Sequence, residues 1–280
     1  MNSSSIASSV REALLSRFLR YVQIDTESDP TSTTYPSTEK QLDLLRLLRD
    51  ELIEMGVPEV RLLEKGYVMA QIPATPGYED RPALGLIAHA DTSPDFTGRG
   101  VRPQIIEDYD GSPIALGDTA ELTAREFPEL MELLGHTLIT TDGSTLLGAD
   151  DKAGVAEIME TVRYILAHPE LPHGKICIGF TPDEEIGKGV DFFDVKAFGA
   201  DFAFTVDGSR EGELEYENFN AASARVIAHG RSIHPGSAKG KMINALEAIY
   251  LLHAALPHYA RPEFTEGYEG FYHLMHFSGG

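Results

Sequence analysis

Four short clusters of acidic and histidine residues hold the chemistry this sequence can offer: His89-Ala90-Asp91, Gly148-Ala149-Asp150-Asp151-Lys152, Thr181-Pro182-Asp183-Glu184-Glu185 and Asp207-Gly208. Each has an ordinary structural reading. His89 and Asp91 could make a local turn, and Asp150 and Asp151 could cap a helix and pair with its dipole. Glu184 and Glu185 could form a solvated acidic turn, and Asp207 could satisfy donors of the glycine turn that follows. Each also has a chemical reading. An imidazole at position 89 can bind a metal through one ring nitrogen while the other donates to the carboxylate two residues on. Adjacent carboxylates at 184 and 185 do not both ionise cheaply unless a cation is present or one pKa is raised. Taken together, one histidine and several carboxylates form an oxygen- and nitrogen-rich set suited to zinc, manganese or cobalt. Two metals sharing a carboxylate would acidify a water and polarise a carbonyl, and one further carboxylate would serve as base.

Other chemistries fail on inspection. Gly236-Ser-Ala-Lys-Gly-Lys241 is one residue short of a phosphate loop and continues with Met242 instead of Ser or Thr. Gly187-x-Gly189 lacks the third glycine of a dinucleotide fingerprint. The sequence contains no His-Glu-x-x-His helix and no Gly-x-Ser-x-Gly elbow. Cys177 lies between two isoleucines in an apolar run, as a buried structural thiol would.

The elements that must position these clusters follow from hydrophobic spacing. Apolar residues at Leu14, Leu15, Phe18, Leu19 and Val22 predict a helix over 10–22. A second helix is expected to start near Pro36-Ser37-Thr38, with Thr38 and Gln41 as a capping box, and to stop at Gly56-Val57-Pro58. Short apolar runs predict strands at 60–63, 67–72, 83–88, 175–180 and 201–206, with a helix over 151–166. The run at 83–88 is apolar on both faces, as in a strand covered on both sides. This alternation predicts an α/β domain, a mostly parallel sheet flanked by helices. Three of its strands run directly into the acidic clusters, and ligands of such sheets bind outside the carboxyl ends of the strands. After Asp207 the texture changes to hairpin-like segments at 213–216 and 221–228, a helix over 241–256 and a strand near 270–277. A boundary at about residue 209 is expected, giving domains 1–209 and 210–280.

Composition narrows the class. The 280 residues carry 23 Lys and Arg against 44 Asp and Glu, a formal charge of −21. So acidic a surface argues against nucleic acid and anionic membranes as partners. With 42% apolar and 24% charged residues the chain is globular in composition. The lone Cys177 excludes an internal disulfide framework and a cysteine zinc finger. No run of about 18 apolar residues exists, and the Ser-rich start lacks the pattern of a secretory signal. A soluble, cytoplasmic protein is expected.

The strings Ile-Ala-His89-Ala-Asp91-Thr-Ser-Pro-Asp, Thr-Leu-Leu-Gly-Ala-Asp150-Asp151-Lys-Ala-Gly, Phe-Thr-Pro-Asp-Glu184-Glu185-Ile-Gly-Lys-Gly and Thr-Val-Asp207-Gly resemble the peptidase T family. These are the tripeptide aminopeptidases among the dinuclear-zinc exopeptidases, which also include aminoacylases and glutamate carboxypeptidases. Glu-Asn-Phe-Asn-Ala-Ala at 217–222, Ile-His234-Pro-Gly and Thr-Glu-Gly-Tyr-Glu-Gly-Phe-Tyr-His-Leu at 265–274 extend the resemblance.

The resemblance implies a zinc-exopeptidase-like catalytic domain with an inserted α+β lid, and two zinc ions. His89, Asp150 and Asp207 would hold one zinc, Asp150 would bridge to the second, and Glu185 would bind that second ion. Glu184 would be the general base, Asp91 would orient His89, and His234 in the lid would contact the substrate. In that family the chain returns from the lid with further strands and a last histidine ligand. This sequence stops at Gly280, so a lid cut short at residue 280 is expected, and a second metal held only by Asp150 and Glu185. His273 and His276, on the expected lid strand, do not replace that ligand. The implied activity is metal-dependent release of the N-terminal residue from tripeptides. A non-catalytic metal-binding remnant, or an aminoacylase- or carboxypeptidase-type hydrolase, is the alternative.

Overall fold

The computed structural model describes residues 3–118, 120–208, 210 and 212–279. It divides into two units, Met1–Glu215 and Tyr216–Gly280. The boundary expected at about residue 209 lies outside the described residues.

The first unit is built in chain order from α1 (Ser3–Tyr21), α2 (Gln41–Glu54), β1 (Glu59–Leu62), β2 (Val68–Ile72), β3 (Leu84–His89), β4 (Gln104–Ile106), β5 (Ile114–Leu116), β6 (Ala120–Leu122), β7 (Leu138–Thr140), α3 (Ala149–Ala167), β8 (Ile176–Thr181), α4 (Val195–Phe198) and β9 (Phe202–Thr205). Five strands form one mixed sheet in the order β1-β2-β8-β3-β9. β1 pairs β2, and β2 pairs β8, antiparallel, whereas β3 pairs both β8 and β9 in parallel. The parallel character expected from the sequence is thus confined to the three strands that end in acidic clusters. The short connection from β1 to β2 needs no crossover helix. β4 with β7 and β5 with β6 form two small antiparallel pairs. Tyr109, Ile114 and Leu130 make a separate small core beside them.

Alternation along the strands divides the main core in two. Val68, Ala70, Ile176 and Ile178 face the large cluster with Leu44, Leu45, Leu48 and Leu52 of α2 and Val155, Ile158, Met159 and Val162 of α3. Met69 and Cys177, one residue out of phase, face Phe198 of α4 on the other side. Every residue of β8 is buried, the pattern of a strand covered on both faces. Cys177 is indeed a buried free thiol, and burial pushes its pKa up.

The second helix starts later than expected. Residues 36–40 form turns, and α2 begins at Gln41 with no side-chain cap. The residues of the expected capping box are committed elsewhere. Thr38 Oγ1 donates to the Glu27 carbonyl, and the Gln41 side-chain amide donates to Asp183 Oδ1 at 2.7 Å.

The second unit contains α5 (Ala245–Ala255), three 3-10 turns and long irregular segments. The strands expected at 213–216, 221–228 and 270–277 do not form. A strand exists only where a neighbour supplies its hydrogen bonds, and the pairing found in this unit is an isolated bridge between Arg231 and Ile243. The helix expected over 241–256 is shorter at its start because Asn244 caps it, its Oδ1 accepting from the amides of Leu246 and Glu247. Among the described residues no helix is long and apolar enough to cross a membrane.

Candidate metal centre

His89 is the last residue of β3 and lies opposite Thr181, the last residue of β8. Ile87 lies opposite Thr205 on β9, so Asp207 follows at the same edge of the sheet. The parallel register therefore delivers the 89–91, 181–185 and 207 clusters to one place. The fourth arrives from α3. Gly148, with φ of 74°, turns the chain into that helix in the left-handed region that favours glycine.

The side chains converge on the His89 ring. Its Nε2 lies 2.9 Å from Asp150 Oδ1, 3.8 Å from Asp207 Oδ2 and 3.9 Å from Glu184 Oε2. Its Nδ1 lies 3.0 Å from the Asp91 carbonyl oxygen and 3.4 Å from Asp91 Oδ1. The buried Asp91 carboxylate does more than orient the ring: its two oxygens accept the backbone amides of Glu184 and Glu185 at 2.9 and 3.2 Å. It thereby ties the acidic turn after β8 to the end of β3. Asp151 is also buried, and its Oδ2 accepts the His89 backbone amide at 3.0 Å.

Two overlapping groups have donor atoms within 4.8 Å of one another: His89, Asp151 and Asp207, and His89, Asp150 and Glu185. Both fit a divalent cation in donor type, imidazole nitrogen with carboxylate oxygen. Electrostatics point the same way. Burial pushes Asp151 up to about 8 and Asp207 up to about 6, with neighbouring carboxylates adding to the rise. Glu185 is raised by burial and then by Asp150. Burial alone would lower His89, but the hydrogen bond and charge of Asp91, with Asp151 and Asp207, hold it at about 10. These rises mark carboxylates crowded against one another, and a dication would relieve their repulsion.

His89, Asp91, Asp150, Glu184, Glu185 and Asp207 are thus brought together. His234 belongs to the second unit, where it is exposed at the start of a 3-10 turn and its Nδ1 accepts the Gly236 amide at 3.1 Å. His273 and His276 are exposed in the same unit, with His276 Nε2 2.9 Å from Ser278 Oγ. The sequence offered Asp151 only as a helix cap beside Asp150 and gave Asp183 no role, yet both are buried at this edge. Two adjacent aspartates at a helix start do not reveal which one turns inward, and a carboxylate satisfied by residues over 140 positions away leaves no local signal.

A mixed sheet carrying a histidine–carboxylate group at the carboxyl ends of its parallel strands defines the class: an α/β fold with a candidate metal site. Peptidase T of Clostridium acetobutylicum is 56% identical over 270 residues, 96% of this chain and 66% of its own length. Peptidase T of Geobacillus thermodenitrificans is 54% identical over 272 residues, again 96% and 66%. The chain belongs to the peptidase T family. It spans about two thirds of the length of these relatives. Residues 216–277 match the M20 peptidase dimerisation domain. Among solved structures, a tripeptidase from Staphylococcus aureus aligns at 27% identity with a TM-score of 0.50, covering 71% of this chain and 44% of that one. The aminopeptidase PepT from Bacillus cereus has the same fold at a TM-score of 0.55 and 24% identity, covering 88% and 57%.

Proposed function

We propose that this chain forms the metal-binding part of a cytoplasmic zinc-dependent aminopeptidase that releases the N-terminal residue from tripeptides. Residues 1–209 are read as its catalytic part and 210–280 as part of a lid. The observation that carries the reading is the convergence of Asp150, Asp207 and Glu184 on His89 Nε2 at 2.9–3.9 Å, with Glu185 within reach of the same atoms.

His89, Asp150 and Asp207 are assigned to one zinc, Asp150 also to a second, and Glu185 to that second ion. Such ions, when bound, lower the pKa of water and polarise the scissile carbonyl. The chain's own residues do the rest. Asp91 fixes the His89 ring and the Glu184–Glu185 backbone together, so the donors need not reorganise when the site fills. Glu184, its side chain 54% exposed and the farthest of the three carboxylates from Nε2, is free to face the substrate. It takes a proton as the water oxygen bonds to the carbonyl carbon, and returns it to the amine as the carbon–nitrogen bond breaks. His234 is assigned to substrate binding.

The test is tripeptide hydrolysis, with and without chelator, by a chain carrying the family's C-terminal continuation, beside its Glu184→Gln variant. Chelator-sensitive release of the N-terminal residue, lost in the variant with metal content intact, is expected. Unchanged turnover in Glu184→Gln removes the proposed base.

A further inference from the structure

We propose that Asp183 is a positioning residue that holds the Glu184–Glu185 pair in register with the metal centre by locking the turn after β8 onto the entry to α2. The proposal rests on the reading of Glu185 as a metal ligand. Asp183 is fully buried, and among the described residues no lysine, arginine or histidine pairs with it. Its carboxylate instead accepts three hydrogen bonds from one short segment. Ser37 N donates to Oδ2 at 2.7 Å, Gln41 Nε2 donates to Oδ1 at 2.7 Å, and the Ser37 hydroxyl donates to the same Oδ1. Gln41 completes a reciprocal pair, its Oε1 accepting the Asp183 amide at 3.1 Å.

This arrangement fixes a backbone conformation that aspartate does not usually take. Asp183 has φ of 59°, in the left-handed region. The turn then closes on itself, with the Gly187 amide on the Glu184 carbonyl at 2.7 Å and the Lys188 amide on the Asp183 carbonyl at 2.9 Å. Asp91 grips the next two amides from β3. The two glutamates therefore sit between two anchors, one on β3 and one on α2. Release of the second would leave the amides of Glu184 and Glu185 tied to the sheet edge by the Asp91 grip alone.

Aspartate is required at position 183 for a chemical reason. Every group facing its carboxylate is a donor, and a carboxylate only accepts. Asp183→Asn keeps the volume but turns an NH2 toward Ser37 or Gln41, setting donor against donor.

The test titrates Co2+ into the protein and follows its visible absorption, for the parent, Asp183→Asn, Ser37→Ala and Glu185→Gln. Amide hydrogen exchange is measured on the metal-free forms. The binding step lost in Glu185→Gln should weaken about tenfold or more in Asp183→Asn, the range for residues that orient a ligand. Exchange at Glu184 and Glu185 should accelerate while the amides of β8 hold. Ser37→Ala should move both readouts the same way, by less. A Glu185-dependent step unshifted in Asp183→Asn, or exchange that rises equally along β8, overturns the proposal. If the parent has no Glu185-dependent step, the ligand reading fails by itself, and exchange at 184 and 185 still decides the positioning role.

Discussion

Gly154→Ala should destabilise the first unit and weaken its metal centre, although the same change helps most helices. Glycine inside a helix costs about 1 kcal/mol relative to alanine, so propensity alone predicts a gain of that size. Packing reverses the sign. A Cβ at position 154 would lie 1.8 Å from the Val206 carbonyl oxygen and 2.4 Å from Asp151 Oδ1. The side chain of Asp151 can rotate away, but Val206 is backbone, held by its amide to the Ile87 carbonyl at 2.8 Å. Real Cβ contacts do not fall below 3.0 Å, so helix α3 and the end of β9 must separate by about 1.2 Å, the difference between 3.0 and 1.8. Overpacking of a well-filled core costs about 1–3 kcal/mol, and a clash with fixed backbone belongs at the upper end. The net loss after the propensity gain is about 2 kcal/mol. At about 2–4 °C per kcal/mol for a domain near this size, the thermal midpoint should fall by roughly 4–8 °C. The separation also moves Asp207 away from Asp151 and His89, so a Co2+ titration of the same variant should show weaker binding. Urea and thermal unfolding followed by circular dichroism give the first readout. A variant as stable as the parent, with unchanged Co2+ affinity, would refute the close approach of α3 to β9 and the placement of Asp207 that depends on it.

Without metal, stability should fall as pH rises. Asp207, Asp151 and His89 are all held above their ordinary values, so each contribution is complete below the ordinary value and is lost as pH passes about 6, 8 and 10 respectively. A divalent ion displaces those protons, so zinc should raise the unfolding midpoint more at pH 8 than at pH 5.5; equal stabilisation at both would contradict the assigned groups. Glu51→Ala should cost about 3 kcal/mol in urea unfolding, because it strips Arg17 and Tyr21 of a buried partner; a loss under about 0.5 kcal/mol would show the network to be idle. Cys177 should react with a thiol reagent only at the rate of unfolding, and labelling of the native protein at the rate of a free thiol would disprove its burial.

Much of this arrangement was legible in the sequence because its signals are local. The runs that became β3, β8 and β9 are short and apolar, and each leads straight into an acidic or histidine cluster, so the gathering of His89, Glu184, Glu185 and Asp207 at one sheet edge followed from pattern. What escaped is non-local. Nothing near Ser37 or Gln41 indicates that their side chains serve Asp183, so a capping box was the natural reading of that segment. The antiparallel pairing of β2 with β8 joins strands about a hundred residues apart, and hydrophobic spacing does not encode which partner a strand takes. Likewise the expected strands at 213–216, 221–228 and 270–277 had β-like composition, but composition does not supply a pairing partner.

The buried carboxylates of the first unit argue for where its cation belongs. An ionised carboxylate inside a protein must find compensation, and the first unit shows two solutions. Glu51 and Glu160 take arginines: Arg17 and Arg20 on the first, Arg163 and Arg17 on the second. Asp91 and Asp183 take neutral donors, two backbone amides in one case and Ser37 with Gln41 in the other. Asp151 has neither. Among the described residues its carboxylate accepts a single hydrogen bond, from the His89 amide, and burial carries its pKa to about 8. Asp207 and Glu185 share that deficit around one imidazole. In a chain that pairs or hydrogen-bonds its other interior acids, a cluster left this short of partners around one imidazole suits a positive charge supplied from outside, and its nitrogen and oxygen donors fit a divalent metal ion.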